Sequence, residues 1–206
     1  MALPTYNKNN RRKSFTQLPK GAYVVKIVGA ELAEWPSGDQ YIKVGFDIAE
    51  GEHKGFYEKQ YKDTPDPADG KKKLWPIDAV FNVNVPTDNS PDWIKQGYDT
   101  FFGDLEDSNN GFVFDGNKEI GKQLKGKLIG GKFHIVQNEY NGNVYDHTRM
   151  KWTCIADDVR SGTPGKMPKD KLIGASRNKA SSSNTSDEED DFMSVPDGIE
   201  EEIPFA

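Results

Sequence analysis

The sequence predicts a mainly β protein: a small five-stranded barrel with one helix, a loop-rich insertion and a disordered acidic C-terminal tail. Three observations carry that expectation. Short runs rich in β-branched and aromatic residues alternate apolar with polar positions. A single helix-like segment stands ahead of the last two of these runs. Those two runs are joined by Asn141-Gly142, a pair suited to the positive φ angles of a tight hairpin.

The first strand is expected from Gly21, where Tyr23-Val24-Val25-Lys26-Ile27-Val28 favours a pleated, half-buried segment. Trp35-Pro36-Ser37-Gly38-Asp39 reads as a turn. In the second strand Ile42, Val44, Phe46 and Ile48 point one way, and Tyr41, Lys43, Gly45 and Asp47 the other. After a turn over 51–55, Tyr57, Lys59 and Tyr61 are expected on one face of a third strand. Residues 63–73 are a loop by composition, and a further strand-like run covers Trp75 to Val85. The best helix spans 91–107, with Ser90 as N-cap and Pro91 at the first helical position. The last two strands run from about Leu128 to Gln137 and from Asn143 to Ala156. In the last one Met150, Trp152 and Cys154 are expected inward, and Tyr145, His147, Arg149 and Lys151 outward. Five short strands with one helix before the fourth are what a Greek-key OB barrel looks like in sequence.

The chain divides into a basic arm over 1–19, a barrel domain over 20–160 with an insertion at about 63–125, a linker over 161–186 rich in Ser, Gly, Lys and Asn, and an acidic tail over 187–206. The insertion would cap the barrel or pair two copies of it, so a homo-oligomer is compatible with the sequence. No apolar run is long enough to cross a bilayer, and the N-terminus lacks the apolar stretch of a secretory signal. Cys154, the only cysteine, makes no internal disulfide and gives no zinc spacing. These features predict a cytoplasmic protein.

The net charge of −6 conceals a polarised chain. Residues 187–206 hold nine acids and no base, leaving 24 acids against 27 bases in residues 1–186. A mildly basic body of this kind can meet phosphate while its tail competes with it.

Rings interleave with cations on the strand faces: Tyr41 with Lys43, Tyr57 and Tyr61 with Lys59, and Tyr145 with Arg149 and Lys151. Such faces suit single-stranded DNA, because rings stack on exposed bases while cations follow the phosphates. Lys72, within the triple lysine at 71–73, and Trp75 beside it form a candidate clamp. The tail ends Glu200-Glu201-Glu202-Ile203-Pro204-Phe205-Ala206. Solubility accounts for the acids but not for the apolar residues that close the segment. Ile203, Pro204 and Phe205 therefore read as a short docking peptide, steered by the acids to a basic patch on a partner.

That tip is similar to the C-terminal end of bacterial single-stranded DNA-binding proteins, where acids precede Ile-Pro-Phe. The body resembles bacteriophage and mobile-element single-stranded DNA-binding proteins at Gly21-Ala22-Tyr23, along Phe46-Asp47-Ile48-Ala49-Glu50-Gly51-Glu52-His53-Lys54-Gly55-Phe56, and over Trp152 to Gly162. The resemblance implies an OB fold, sequence-tolerant binding, and recruitment of replication or recombination proteins of the helicase, recombinase, primase or nuclease class through the tail. In that family the tip ends at Phe, whereas Ala206 follows here and moves the terminal carboxylate.

No catalytic constellation, cofactor motif or metal-ligand spacing emerges. Gly116-Asn117-Lys118-Glu119-Ile120-Gly121-Lys122-Gln123 nearly spells a phosphate loop, but Gln123 stands where a Ser or Thr should hold magnesium, and the glycines after it argue against the required helix. His53, His134 and His147 are scattered. The expected function is non-enzymatic binding of single-stranded DNA in phage or prophage replication, recombination or repair, within the bacterial host cell. A protein-interaction module without DNA binding and a metal-dependent nuclease are the two other readings.

Overall fold

The structure of the protein, a computed structural model, describes residues 16–67 and 70–173. The greater part of the basic arm and the tail with Ile203, Pro204 and Phe205 lie outside the described residues. Five strands form one antiparallel sheet: β1 (Gly21–Glu34), β2 (Gln40–Ile48), β3 (Val80–Asn84), β4 (Leu128–Tyr140) and β5 (Asn143–Cys154). Their order is β3-β2-β1-β4-β5. The long first strand is shared. Its C-terminal part pairs with β2, its N-terminal part with β4, and the β2 register shifts at a bulge between Ile27 and Gly29. Such a bulge bends and twists the strand. The edges β3 and β5 do not pair with each other, so the sheet is curled but not closed.

The alternation in β2 emerges as expected. Ile42, Val44, Phe46 and Ile48 meet Val25, Ile27, Val83, Ile129, Phe133 and Met150 in one core. Helix α2 (Asp92–Ser108) seals that core with Phe101, Phe102 and Leu105. It starts one residue later than expected. Ser90 does not cap it: the hydroxyl accepts the Thr87 N–H at 2.8 Å and closes the turn ahead of the helix. Between β4 and β5, Asn141 and Gly142 have φ of 50° and 74°, the tight hairpin that the sequence announces.

Two expectations are corrected. Residues Tyr57, Lys59 and Tyr61 lie not in a strand but in helix α1 (Phe56–Asp63), and the third strand is β3, inside the region read as an insertion. Helix α1 follows Gly55, whose φ of 72° turns the chain sharply, and its first N–H groups are claimed by Asp47 from β2. Where one helix was expected, the described residues hold α1 and α2 together with the one-turn helices α3 (Ile120–Leu124) and α4 (Ala156–Arg160) and a 3-10 turn at Ile77–Ala79. Helix α3 ends at Leu124, and the glycine-bearing segment after it leads into β4, so no helix follows the near-match to a phosphate loop.

A second bulge decides the face of β5. The register shifts between Lys132 and Phe133, so Met150 pairs with Phe133 but Trp152 pairs with Lys132, leaving Lys151 as the extra residue. Met150 points into the core as expected, whereas Trp152 and Cys154 are turned to the outer face. There Cys154 lies beneath α4: a Cβ added to Gly130 would stand 2.7 Å from its sulfur and 2.9 Å from Val159.

By composition residues 161–173 are part of a linker; 161–163 fold back onto α4, and 169–173 run along β4 past the point where the first residue of β1, Gly21, pairs with it. Lys171 bridges to Val136 in parallel fashion, donating to the Ile135 carbonyl and accepting from Gln137. Among the described residues no helix is long and apolar enough to cross a membrane.

Candidate nucleic-acid interface

The outward face of the β4–β5 hairpin is built by cross-strand pairs. Tyr140 faces Asn143, Asn138 faces Tyr145, Val136 faces His147, His134 faces Arg149, and Lys132 faces Trp152. Directly opposed residues share a face, so these side chains form one continuous strip. The strap over 161–173 covers its β4 half, burying His134 and Val136. The β5 half stays accessible, with Tyr145 48% exposed and Tyr140 70% exposed at the tip. The strip therefore runs from two exposed rings through His147 and Arg149 to Lys151, whose ammonium lies 5.5 Å from the Trp152 ring centre. Of the three interleaved faces expected from sequence, this one stands in the open.

A second cluster lies on α1 and the segment ahead of the 3-10 turn. Tyr61 on α1 and Trp75 lie with ring centres 5.4 Å apart, and Lys73 stands over Tyr61 at 4.6 Å. The Trp75 indole donates to the Phe46 carbonyl at 3.1 Å, which fixes the ring. Lys59 and Lys72 are exposed nearby in sequence. The chain then passes from Trp75 into the 3-10 turn, where Asp78 reaches across to β5. Its carboxylate oxygens meet His147 Nδ1 and Arg149 Nε, each at 3.1 Å. Asp78 thus links the Tyr61–Trp75 cluster to the β5 strip across the gap between the two sheet edges.

The remaining expected residues are held differently. Tyr41 is only 5% exposed because Trp35 stacks on it at 3.9 Å, with planes 20° apart. The Trp35 indole in turn donates to Asn84 on β3. Lys43 is 8% exposed, between Glu31 and Asn82 on the neighbouring strands. Tyr57 is 1% exposed and packs edge-on against Phe46 and Phe56. Its hydroxyl pKa is pushed far up, first by burial and then by the charges of Asp78 and Asp47. These three residues belong to the scaffold, not to an open strand face. The sequence reading passed over Tyr140, Trp35, Asp78 and the outward turn of Trp152. Tyr140 had a signal, since it adjoins the Asn-Gly turn; Asp78 had none.

Burial pushes the Cys154 thiol up to about 11, which keeps it protonated at neutral pH. Among the described residues no group of three or more His, Cys, Asp or Glu side chains is arranged to hold a metal ion.

Residues 4–96 of the chain, less than half of it, match the family described as a protein of unknown function, DUF669. That stretch takes in β1, β2, α1, β3 and the first turn of α2, and stops short of the β4–β5 hairpin. No curated protein matches the chain.

Proposed function

We propose that this protein is a non-enzymatic, sequence-tolerant binder of single-stranded DNA with an OB-type barrel, acting in phage or prophage replication, recombination or repair in the bacterial cytoplasm. The observation that carries the reading is the outward strip of the β4–β5 hairpin. It offers exposed rings at Tyr140 and Tyr145, then cations at Arg149 and Lys151, in the sequence that base stacking and phosphate contact require. The strand order supports it: β3-β2-β1-β4-β5 with helix α2 between β3 and β4 is the order of an OB barrel opened between its third and fifth strands. Through its Ile203-Pro204-Phe205 tip the acidic tail recruits partner proteins of DNA metabolism, as the resemblance noted above implies.

The test is fluorescence anisotropy of a labelled oligo-dT at low and moderate salt, beside a duplex and an RNA control. Binding should prefer the single strand and weaken with salt. A double Tyr140→Ala, Tyr145→Ala variant should lose roughly tenfold or more in affinity, since stacking contributes roughly 1–3 kcal/mol per base. Equal binding of duplex and single strand, or no binding at low salt, would leave a protein-interaction module as the better account.

A further inference from the structure

We propose that the Asp78 carboxylate occupies a phosphate site, and that a backbone phosphate of a bound single strand displaces it from between His147 and Arg149. The inference rests on the reading of the β5 strip as a single-strand platform. Three features of the contact carry it. First, one carboxylate bridges two cationic or hydrogen-bonding groups that the strand holds two residues apart, with one oxygen to each, as a phosphate would. Second, Arg149 is held through Nε alone, and its terminal nitrogens make no hydrogen bond among the described residues, so most of its fork is available to another anion. Third, the side chains of Asp78, His147 and Arg149 are a quarter to a third exposed, so solvent and solutes reach the contact.

Placement on the strip supplies the ligand. Alternate residues on a strand stand roughly 7 Å apart. A base stacked on Tyr145 thus leaves its phosphate within reach of His147 and Arg149, the next two outward residues. Asp78 sits on the one-turn 3-10 segment immediately ahead of the edge strand β3, and rotation of its partly exposed side chain, with the backbone held by buried Ala79, is enough to withdraw the carboxylate. Its exchange for phosphate removes one contact between the 3-10 turn ahead of β3 and strand β5. A single strand therefore competes with the protein's own carboxylate for the same two side chains.

The test compares wild type, Asp78→Asn, Arg149→Gln and the double variant by oligo-dT anisotropy at two salt concentrations, with a thermal melt of each. A partly exposed pair of this kind, screened by solvent, holds its partners weakly. Asp78→Asn should accordingly bind roughly two- to fivefold more tightly, with a salt slope steeper by about 0.7. Arg149→Gln should bind more weakly, and in its background Asp78→Asn should give no gain. Unchanged or weaker binding by a folded Asp78→Asn protein, beside a wild type that binds, overturns the exchange and makes Asp78 a structural clamp. So does a gain that survives Arg149→Gln. Should neither wild type nor Asp78→Asn bind, the platform reading itself falls and the exchange with it. A measurement on the wild type guards against a variant that does not fold: the Arg149 Nε–H resonance should move as oligo-dT is added. A resonance that stays in place while the oligonucleotide binds overturns the proposal.

Discussion

Asp47 shows how one side chain can set the start of an element. Its carboxylate, 5% exposed, accepts N–H groups from Ile48, Tyr57 and Glu58 at 2.8, 2.9 and 3.3 Å. Burial pushes its pKa above the ordinary carboxylate range, and the three donors work against that rise. Helix α1 has no side-chain cap from its own N-cap residue, so Asp47 supplies from β2 what a local cap supplies elsewhere. Asp47→Ala leaves the buried N–H groups of Ile48 and Tyr57 without this acceptor and should cost about 1–3 kcal/mol of stability, read by urea denaturation. A loss below about 0.5 kcal/mol would mean that water replaces the carboxylate. The same residue explains why Tyr57 misled. Its spacing to Lys59 and Tyr61 fits a strand, but once Asp47 and Gly55 start a helix, Tyr57 and Tyr61 share a face and Lys59 leaves it. Tyr57→Ala would consequently probe the core, not the binding face.

At the scale of elements, the strap over 161–173 decides how much of the β4–β5 strip is open. His134 lies beneath it and bonds to the Lys169 carbonyl at 2.8 Å. A carbonyl only accepts, so Nδ1 carries the proton there. Burial lowers the His134 pKa below its ordinary value of 6.5, with Lys151 and Lys171 adding to that effect. The unfolded chain then binds the proton more tightly than the folded one. Stability should therefore decline as pH falls from about 6.5 towards the lower folded pKa, and level off beneath it. Urea midpoints at pH 7.5 and 5.0 should differ in wild type, and less so in His134→Asn, whose amide replaces the Nδ1 donor without titrating. An equal drop in both proteins would assign the acid sensitivity elsewhere. Other elements were legible from sequence because their signals are local. The β2 alternation, the apolar period of α2 and the Asn141-Gly142 turn each sit within a few residues of one another. The strap was not legible, since nothing in Lys169-Asp170-Lys171 says that β1 starts late enough to leave β4 an unpaired edge beyond Phe133.

Across the whole molecule, charge is the organising quantity. The body over residues 1–186 carries 27 bases and 24 acids, while residues 187–206 carry nine acids. On the proposed single-strand reading, an anionic segment tethered to the binding face competes with phosphate at high effective concentration. Removal of residues 187–206 should keep or tighten oligo-dT affinity by a few fold at low salt, and the advantage should shrink as salt rises. Weaker binding after that truncation would show that the tail contributes to the interface. Within the body the curl of the sheet has a matching consequence. It brings β3 and β5 near enough for Asp78 to reach His147 and Arg149, residues 69 and 71 positions away along the chain.

The sequence by itself determined the mainly β character, four of the five strands and the strand-like run that holds β3, the long helix, the hairpin turn and the charge polarity. Each depends on periodicity, turn chemistry or composition within a short window. Only the tertiary structure decided which outward faces stay outward. Trp35 covers Tyr41, neighbouring strands enclose Lys43, α1 folds Tyr57 inward, and a single bulged residue turns Trp152 out towards Lys132. A period of two fixes the direction of a side chain relative to its neighbours. What stands opposite it is fixed by the register and by segments far away along the chain, such as Leu18 against Thr148, 130 residues apart.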